Sequence, residues 1–146
     1  MCKQNKKPHE VQNIIYYYMF SFSVFSQKRE EKVTLGYYCG YSGSGTSVVI
    51  KFAQLLYDKK YKTLKELLHS KIPAENFLSV VICKRLAHKK IITLTELELK
   101  RIDELFHSKE KVPICGGCTF FEEVELTKLL NSNEEVFSAM DYFFDS

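Results

Sequence analysis

The stretch Pro73 to His88 constrains this chain more than any other. Phe77, Leu78, Val80, Val81, Ile82 and Leu86 fall within it, and Cys83 lies among them. Plotted at 3.6 residues per turn, these apolar positions surround the middle of the segment and do not line one face. A helix of that kind has to be buried on all sides. Pro73 suits the first turn, where a missing N–H costs nothing. A chain of 146 residues is long enough for one domain and short for two. The expectation is therefore one helical domain built around residues 73–88.

Shorter helices are predicted on either side. Val48, Phe52, Leu55 and Leu56 form a stripe over residues 47–60, with Thr46 or Ser47 as cap and Lys59 and Lys60 at the carboxyl end. Thr63 and Glu66 have capping-box spacing ahead of Leu64, Leu67 and Leu68. Thr93 and Glu96 offer a second box for a helix near 94–108, with Leu97, Ile102, Leu105 and Phe106 as its core face. Val112-Pro113 breaks that helix. Two more are expected at about 121–131 and 133–144, separated by Asn131-Ser132-Asn133. Val33-Thr34-Leu35 and Ile91-Ile92-Thr93 are β-type runs without evident partners, so no strand pair is predicted. The fold class expected is all-α.

Leu67 to Val81 has a Leu-rich first helix, a polar turn with Pro73, and a second helix that begins at Ala74 and is dense in aliphatics. In this it resembles a HEAT-type repeat, and the resemblance extends over residues 47 to about 107. It implies a helical array and a binding scaffold. An irregular helical bundle accounts for the same pattern.

The amino-terminal segment has a separate character. Lys3, Lys6 and Lys7 precede the uncharged run Ile14 to Ser26, and Gln27-Lys28-Arg29-Glu30-Glu31-Lys32 follows at once. A basic region, a short apolar region and a small residue before a polar stretch describe a secretory signal peptide. Residues 1–26 are expected to be that signal, with cleavage after Ser26. A packed amino-terminal helix and a membrane anchor are the alternatives. Residues 27–46 then form a lead-in rich in Gly, Ser and Tyr, and residues 47–146 the helical domain. The leader carries three lysines and one glutamate. Without it the formal charge falls from +3 to +1, which gives no reason to expect a nucleic-acid partner. No apolar run reaches the length of a membrane span.

Five cysteines are present: Cys2, Cys39, Cys83, Cys115 and Cys118. Removal of the leader leaves four, an even count compatible with disulfides in an exported chain. Cys83 sits on the buried helix and is expected to stay a free, core-forming thiol. One bridge is expected among Cys39, Cys115 and Cys118, its pairing left open. Cys115-Gly116-Gly117-Cys118 also has the spacing of a redox or metal-binding pair. However, no second Cys-x-x-Cys exists and no βαβ pattern surrounds it.

Gly40-Tyr41-Ser42-Gly43-Ser44-Gly45-Thr46-Ser47 has P-loop glycine spacing, but Thr46 stands where the phosphate-binding lysine belongs. A flexible loop ending in a cap is expected there. Tyr37, Tyr38 and Tyr41 are candidate partner contacts, or lids over the core. His69, His88 and His107 fall at helix ends and form no catalytic pattern. No catalytic residue, metal site or cofactor is indicated. The expected function is that of an exported, non-catalytic interaction or structural protein. The alternatives are a thiol protein using Cys115 and Cys118, and a cytoplasmic helical binding protein.

Overall fold

The computed structural model describes residues 32–145, so the expected leader and its cleavage point lie outside the described residues. The elements run in order: α1 Ser47–Tyr57, α2 Tyr61–Glu66 with a 3-10 turn over Leu67–His69, and α3 Pro73–His88. Then come α4 Glu96–Phe106, β1 Lys111–Gly116, β2 Phe120–Glu125, α5 Leu126–Asn131, α6 Asn133–Met140, and a π-helical turn at Asp141–Asp145.

Helix α3 is the centre, as its all-round apolarity demands. Ala74 to Cys83 are buried without a break, and Leu86 joins them. Helices α1, α2, α4, α5 and α6, the 3-10 turn and β1 all pack against it. Phe52 of α1, Leu64 and Leu68, Ile102 and Leu105 of α4, and Leu126, Leu129 and Leu130 of α5 are the main buried partners.

Glu75 is the charged exception. It lies in the first turn of α3, only 6% exposed. A carboxylate there is favoured by the helix dipole and needs partners because burial strips its water. Lys51 of α1 supplies a salt bridge at 2.6 Å, and the Ser70 hydroxyl donates to its other oxygen. Ser70 also accepts from the Ile72 N–H. The turn before α3 is thus tied to α1.

Helix ends differ from the expected ones in detail. Helix α1 stops at Tyr57, so Lys59 and Lys60 lie beyond it; Lys59 takes a left-handed φ of 54°. The Lys60 N–H closes back on the Leu55 carbonyl at 2.8 Å. Thr46 stands at the cap of α1 without a side-chain capping bond. The box expected at Thr63 and Glu66 does not form, because α2 already starts at Tyr61. The second box forms two residues later than expected. The Thr95 side chain accepts from the Glu98 N–H, and the Glu98 carboxylate accepts from the Thr95 N–H. Lys65 of α2 selects this register, because it pairs with Glu98 at 2.9 Å and donates to the Thr93 carbonyl. Burial pushes the Glu98 carboxyl upward, but the bonds from Thr95 and Lys65 outweigh it and leave it below the usual carboxylate range. Thr95→Ala is expected to cost about 1 kcal/mol, read as a lower urea midpoint, while Thr93→Ala leaves the midpoint unchanged.

The larger correction concerns β structure. The chain is mainly helical but not all-α, because residues 111–125 form an antiparallel hairpin pairing Lys111 with Glu125 through Gly116 with Phe120. A helix was expected from about 121; it begins only at Leu126. Val112 and Ile114 point into the core. Residues 120–123 of β2 are exposed, so the apolar alternation that would reveal a strand is missing there.

The lead-in also acquires structure. Leu35 bridges Ile114, and Cys39 bridges Gly117, both in parallel. Residues 35–40 thus run beside β1 as a third, interrupted strand. The lead-in uses one more residue than β1 between the two bridges, so it bulges around Gly36–Tyr38. Pro113 has no N–H to offer on this side, which ends the ladder before Val33. Ile91-Ile92-Thr93, by contrast, joins α3 to α4 as loop. At the carboxyl end Ser132 caps α6 through the Glu135 N–H. Helix α6 gives way after Met140 to the π-helical turn.

Candidate functional site

The most organised surface feature is where the lead-in, the hairpin and the carboxyl-terminal turn converge. A disulfide joins Cys39 to Cys115, with 5.8 Å between their Cα atoms and 76 residues between them in sequence. This resolves the expected bridge: Cys115 pairs with the distant Cys39 and not with Cys118. Cys118 is free and exposed, and Cys83 is free and buried. Burial, with the Glu98 carboxylate adding to it, pushes the Cys83 thiol up to about 12. It behaves as a core side chain, as expected.

Four backbone bonds reinforce the bridge. Leu35 N–H donates to the Pro113 carbonyl at 2.8 Å, and Cys115 N–H returns to the Leu35 carbonyl at 2.8 Å. Gly117 N–H donates to the Tyr38 carbonyl at 3.0 Å, and Gly40 N–H to the Gly117 carbonyl at 2.8 Å. Gly36 makes the close approach possible. A Cβ there would lie 2.1 Å from the Cys39 sulfur and 2.5 Å from the Cys115 sulfur, which no side chain tolerates.

The three tyrosines singled out from sequence separate. Tyr37 is buried and packs against Tyr142 and Phe143, at ring-centroid distances of 5.6 and 6.4 Å. Burial, and secondarily the Glu135 carboxylate, drives its phenol well above the usual range. Burial, with Glu134 beside it, also raises the Glu135 carboxyl. Tyr37 is therefore a core residue and is withdrawn as a partner contact. Tyr38 and Tyr41 are 64% and 97% exposed. Tyr38 leans edge-on to Tyr142 at 6.2 Å. Tyr41 rides the turn closed by the Cys39–Ser44 bridge.

Two further exposed aromatics are not legible from the sequence. Phe120 and Phe121, 51% and 70% exposed, stand on β2 opposite Gly116 and Cys115. Phe-Phe-Glu-Glu looked like a helix start, and only the hairpin turns those rings outward. The same strand carries Glu122 and Glu123, and Lys32 binds Glu123. The hydrogen bond and charge of Lys32 hold the Glu123 carboxyl below its usual range.

The P-loop-like segment does not form an anion cradle. Within it the N–H groups of Gly40, Gly43 and Thr46 are bonded to backbone carbonyls, and no lysine stands at its end to meet a phosphate. A separate open cleft of about 510 Å³ lies beside α2, lined by residues including Tyr61, Lys65, His69, Thr93 and Glu98. Its central lysine is engaged by Glu98 and by the Thr93 carbonyl. His69 lines that cleft, His88 ends α3, and His107 bonds the Asp103 carbonyl at 2.8 Å through Nδ1. Among the described residues no group of three or more His, Cys, Asp or Glu could hold a metal ion. No helix among them is long and apolar enough to cross a membrane. Protein-family models, curated proteins and solved structures give no significant match to this chain.

Proposed function

We propose that the protein is an exported, non-catalytic interaction module, matured by removal of residues 1–26. Its contact surface is the exposed aromatic end of the clamped hairpin. The observation that carries this reading is the exposure of Tyr38, Tyr41, Phe120 and Phe121 on backbone pinned by the Cys39–Cys115 bridge. Large aromatics dominate binding energy at protein interfaces. Rings held on a fixed scaffold lose less freedom on association than rings on a loose loop. Glu122 beside them suits a partner with basic residues around an apolar surface. The resemblance of residues 47–107 to HEAT-type scaffolds points the same way.

The disulfide also bears on the compartment. Such bridges persist in oxidising surroundings, and both cysteines lie downstream of Ser26. Intact mass of the protein from its native host is expected to start at Gln27; a full-length product overturns export. A photo-crosslinking residue at Tyr41, installed in that host, is expected to trap a defined species. Phe121→Ser should abolish the crosslink, and Tyr57→Ser, a change on an exposed face of α1, should leave it. Equal trapping in both variants overturns the assigned surface.

A further inference from the structure

The geometry points to an intramolecular thiol–disulfide exchange, with Cys118 as nucleophile on the Cys39–Cys115 bridge and Cys39 as the leaving thiol. The inference does not depend on which partner the exposed aromatics bind.

The end of the hairpin carries two cysteines three residues apart, Cys115 joined to Cys39 and Cys118 free. Gly117 donates to the Tyr38 carbonyl and accepts from the Gly40 N–H, so it is fixed to both neighbours of Cys39. Gly117 has a left-handed φ of 58°, and the chain turns at Cys118 and Thr119. Cys118 therefore directly follows Gly117, the backbone neighbour of Cys39, and lies three residues from Cys115. Three extended residues span at most about 10–11 Å between Cα atoms, and the left-handed Gly117 between them breaks that extension, bringing Cys118 back toward the roughly 4.4–6.8 Å a disulfide requires. Cys118 is exposed, and Gly116 and Gly117 beside it carry no side chain to obstruct the approach.

The step balances without any oxidant. The Cys118 thiolate attacks the Cys115 sulfur, a Cys115–Cys118 bond forms, and the Cys39–Cys115 bond breaks. The electron pair leaves on Cys39, which takes up the proton that Cys118 released to solvent. One disulfide and one thiol remain. A tie across 76 residues is replaced by a short ring within the hairpin, so the strand carrying Tyr38 loses its covalent anchor. Cys83, sealed in the core with a raised thiol, takes no part.

Gly36 sets the balance between the two bridges. A methyl group at this position would press on both sulfurs of the Cys39–Cys115 pair and on the Cys115 carbonyl. Gly36→Ala should therefore favour the Cys115–Cys118 isomer.

The test uses oxidised full-length protein at pH 8.5 without reductant. Samples are acid-quenched over several hours, alkylated at low pH and mapped as peptides by mass spectrometry. Exchange proceeds through the thiolate, so it accelerates with pH. Alkylated Cys39 and the Cys115–Cys118 peptide should rise together to about a tenth of the protein or more. Their rate of appearance should be independent of protein concentration. Gly36→Ala should raise the isomer about fivefold or more. The inference is overturned if Cys39 stays unalkylated throughout in the wild-type protein while Cys118 remains alkylated, or if the new bridge forms at a rate proportional to concentration. The wild-type result decides the matter even where Gly36→Ala fails to fold.

Discussion

Cys39→Ala combined with Cys115→Ala is expected to lower unfolding free energy by about 3–5 kcal/mol, the upper part of the range for a disulfide. The magnitude follows from the 76 residues between the two positions. Closing a loop of that length removes chain entropy from the unfolded state worth about 4.5 kcal/mol in the loop-closure model. The folded state loses little besides, since the bonds linking Leu35 to Pro113 and Cys115, and Gly117 to Tyr38 and Gly40, all use backbone atoms. The measurement is urea unfolding of oxidised wild-type and variant protein. With a slope of about 2 kcal/mol per molar for a domain of this size, the midpoint should fall by roughly 2 M. Reductant should reproduce the loss in wild-type protein and leave the double variant unchanged. Coincident midpoints would mean that the bridge constrains an unfolded chain already held together by other contacts.

How far the sequence reveals this structure depends on how local each signal is. Helix α3 is legible because the apolar side chains from Phe77 to Leu86 surround its axis within one segment, and Pro73 marks its start. The hairpin is not, because the evidence for it is shared between segments. Pro113 reads as a breaker, and Phe120-Phe121-Glu122-Glu123 has no alternation, since this strand has no core beneath it. Pairing with β1 overrides the local preference of two glutamates for a helix start. The amino end of α4 shows the same competition at finer scale. Thr93-Glu96 and Thr95-Glu98 are overlapping boxes of equal local merit, and the contact of Lys65 with Glu98 decides between them. Leu97, expected in the core, is consequently 79% exposed, whereas Ile102 and Leu105 are buried. At the candidate site, the sequence identified three cysteines but not which pair would meet. It also grouped Tyr37 with Tyr38 and Tyr41. Residues 142 and 143 decide that separation, from the far end of the chain.

Phe77→Ala should be the most damaging single change in the described core, costing about 3–5 kcal/mol. Phe77 is fully buried in α3, and α3 is enclosed by α1, α2, α4, α5, α6 and β1. A cavity opened there cannot be closed by shifting one helix, because each neighbour is also held by others. That places the cost toward the upper part of the range, where relaxation is small. Leu97→Ala on exposed α4 surface is the matched control and should stay within about 0.5 kcal/mol of wild type. Thermal and urea unfolding of both variants provide the readout; a Phe77→Ala protein within about 1 kcal/mol of wild type would refute a tightly enclosed α3. The bridge and the phenyl ring act on opposite sides of the equilibrium. The first restrains the unfolded chain and the second fills the folded one, so their costs should add. Together they amount to about 6–10 kcal/mol, against total stabilities of about 5–15 kcal/mol for domains in general. The triple variant Cys39→Ala, Cys115→Ala, Phe77→Ala is therefore expected to populate the unfolded state at 25 °C without denaturant, visible as lost helical circular dichroism, while oxidised Phe77→Ala alone remains folded.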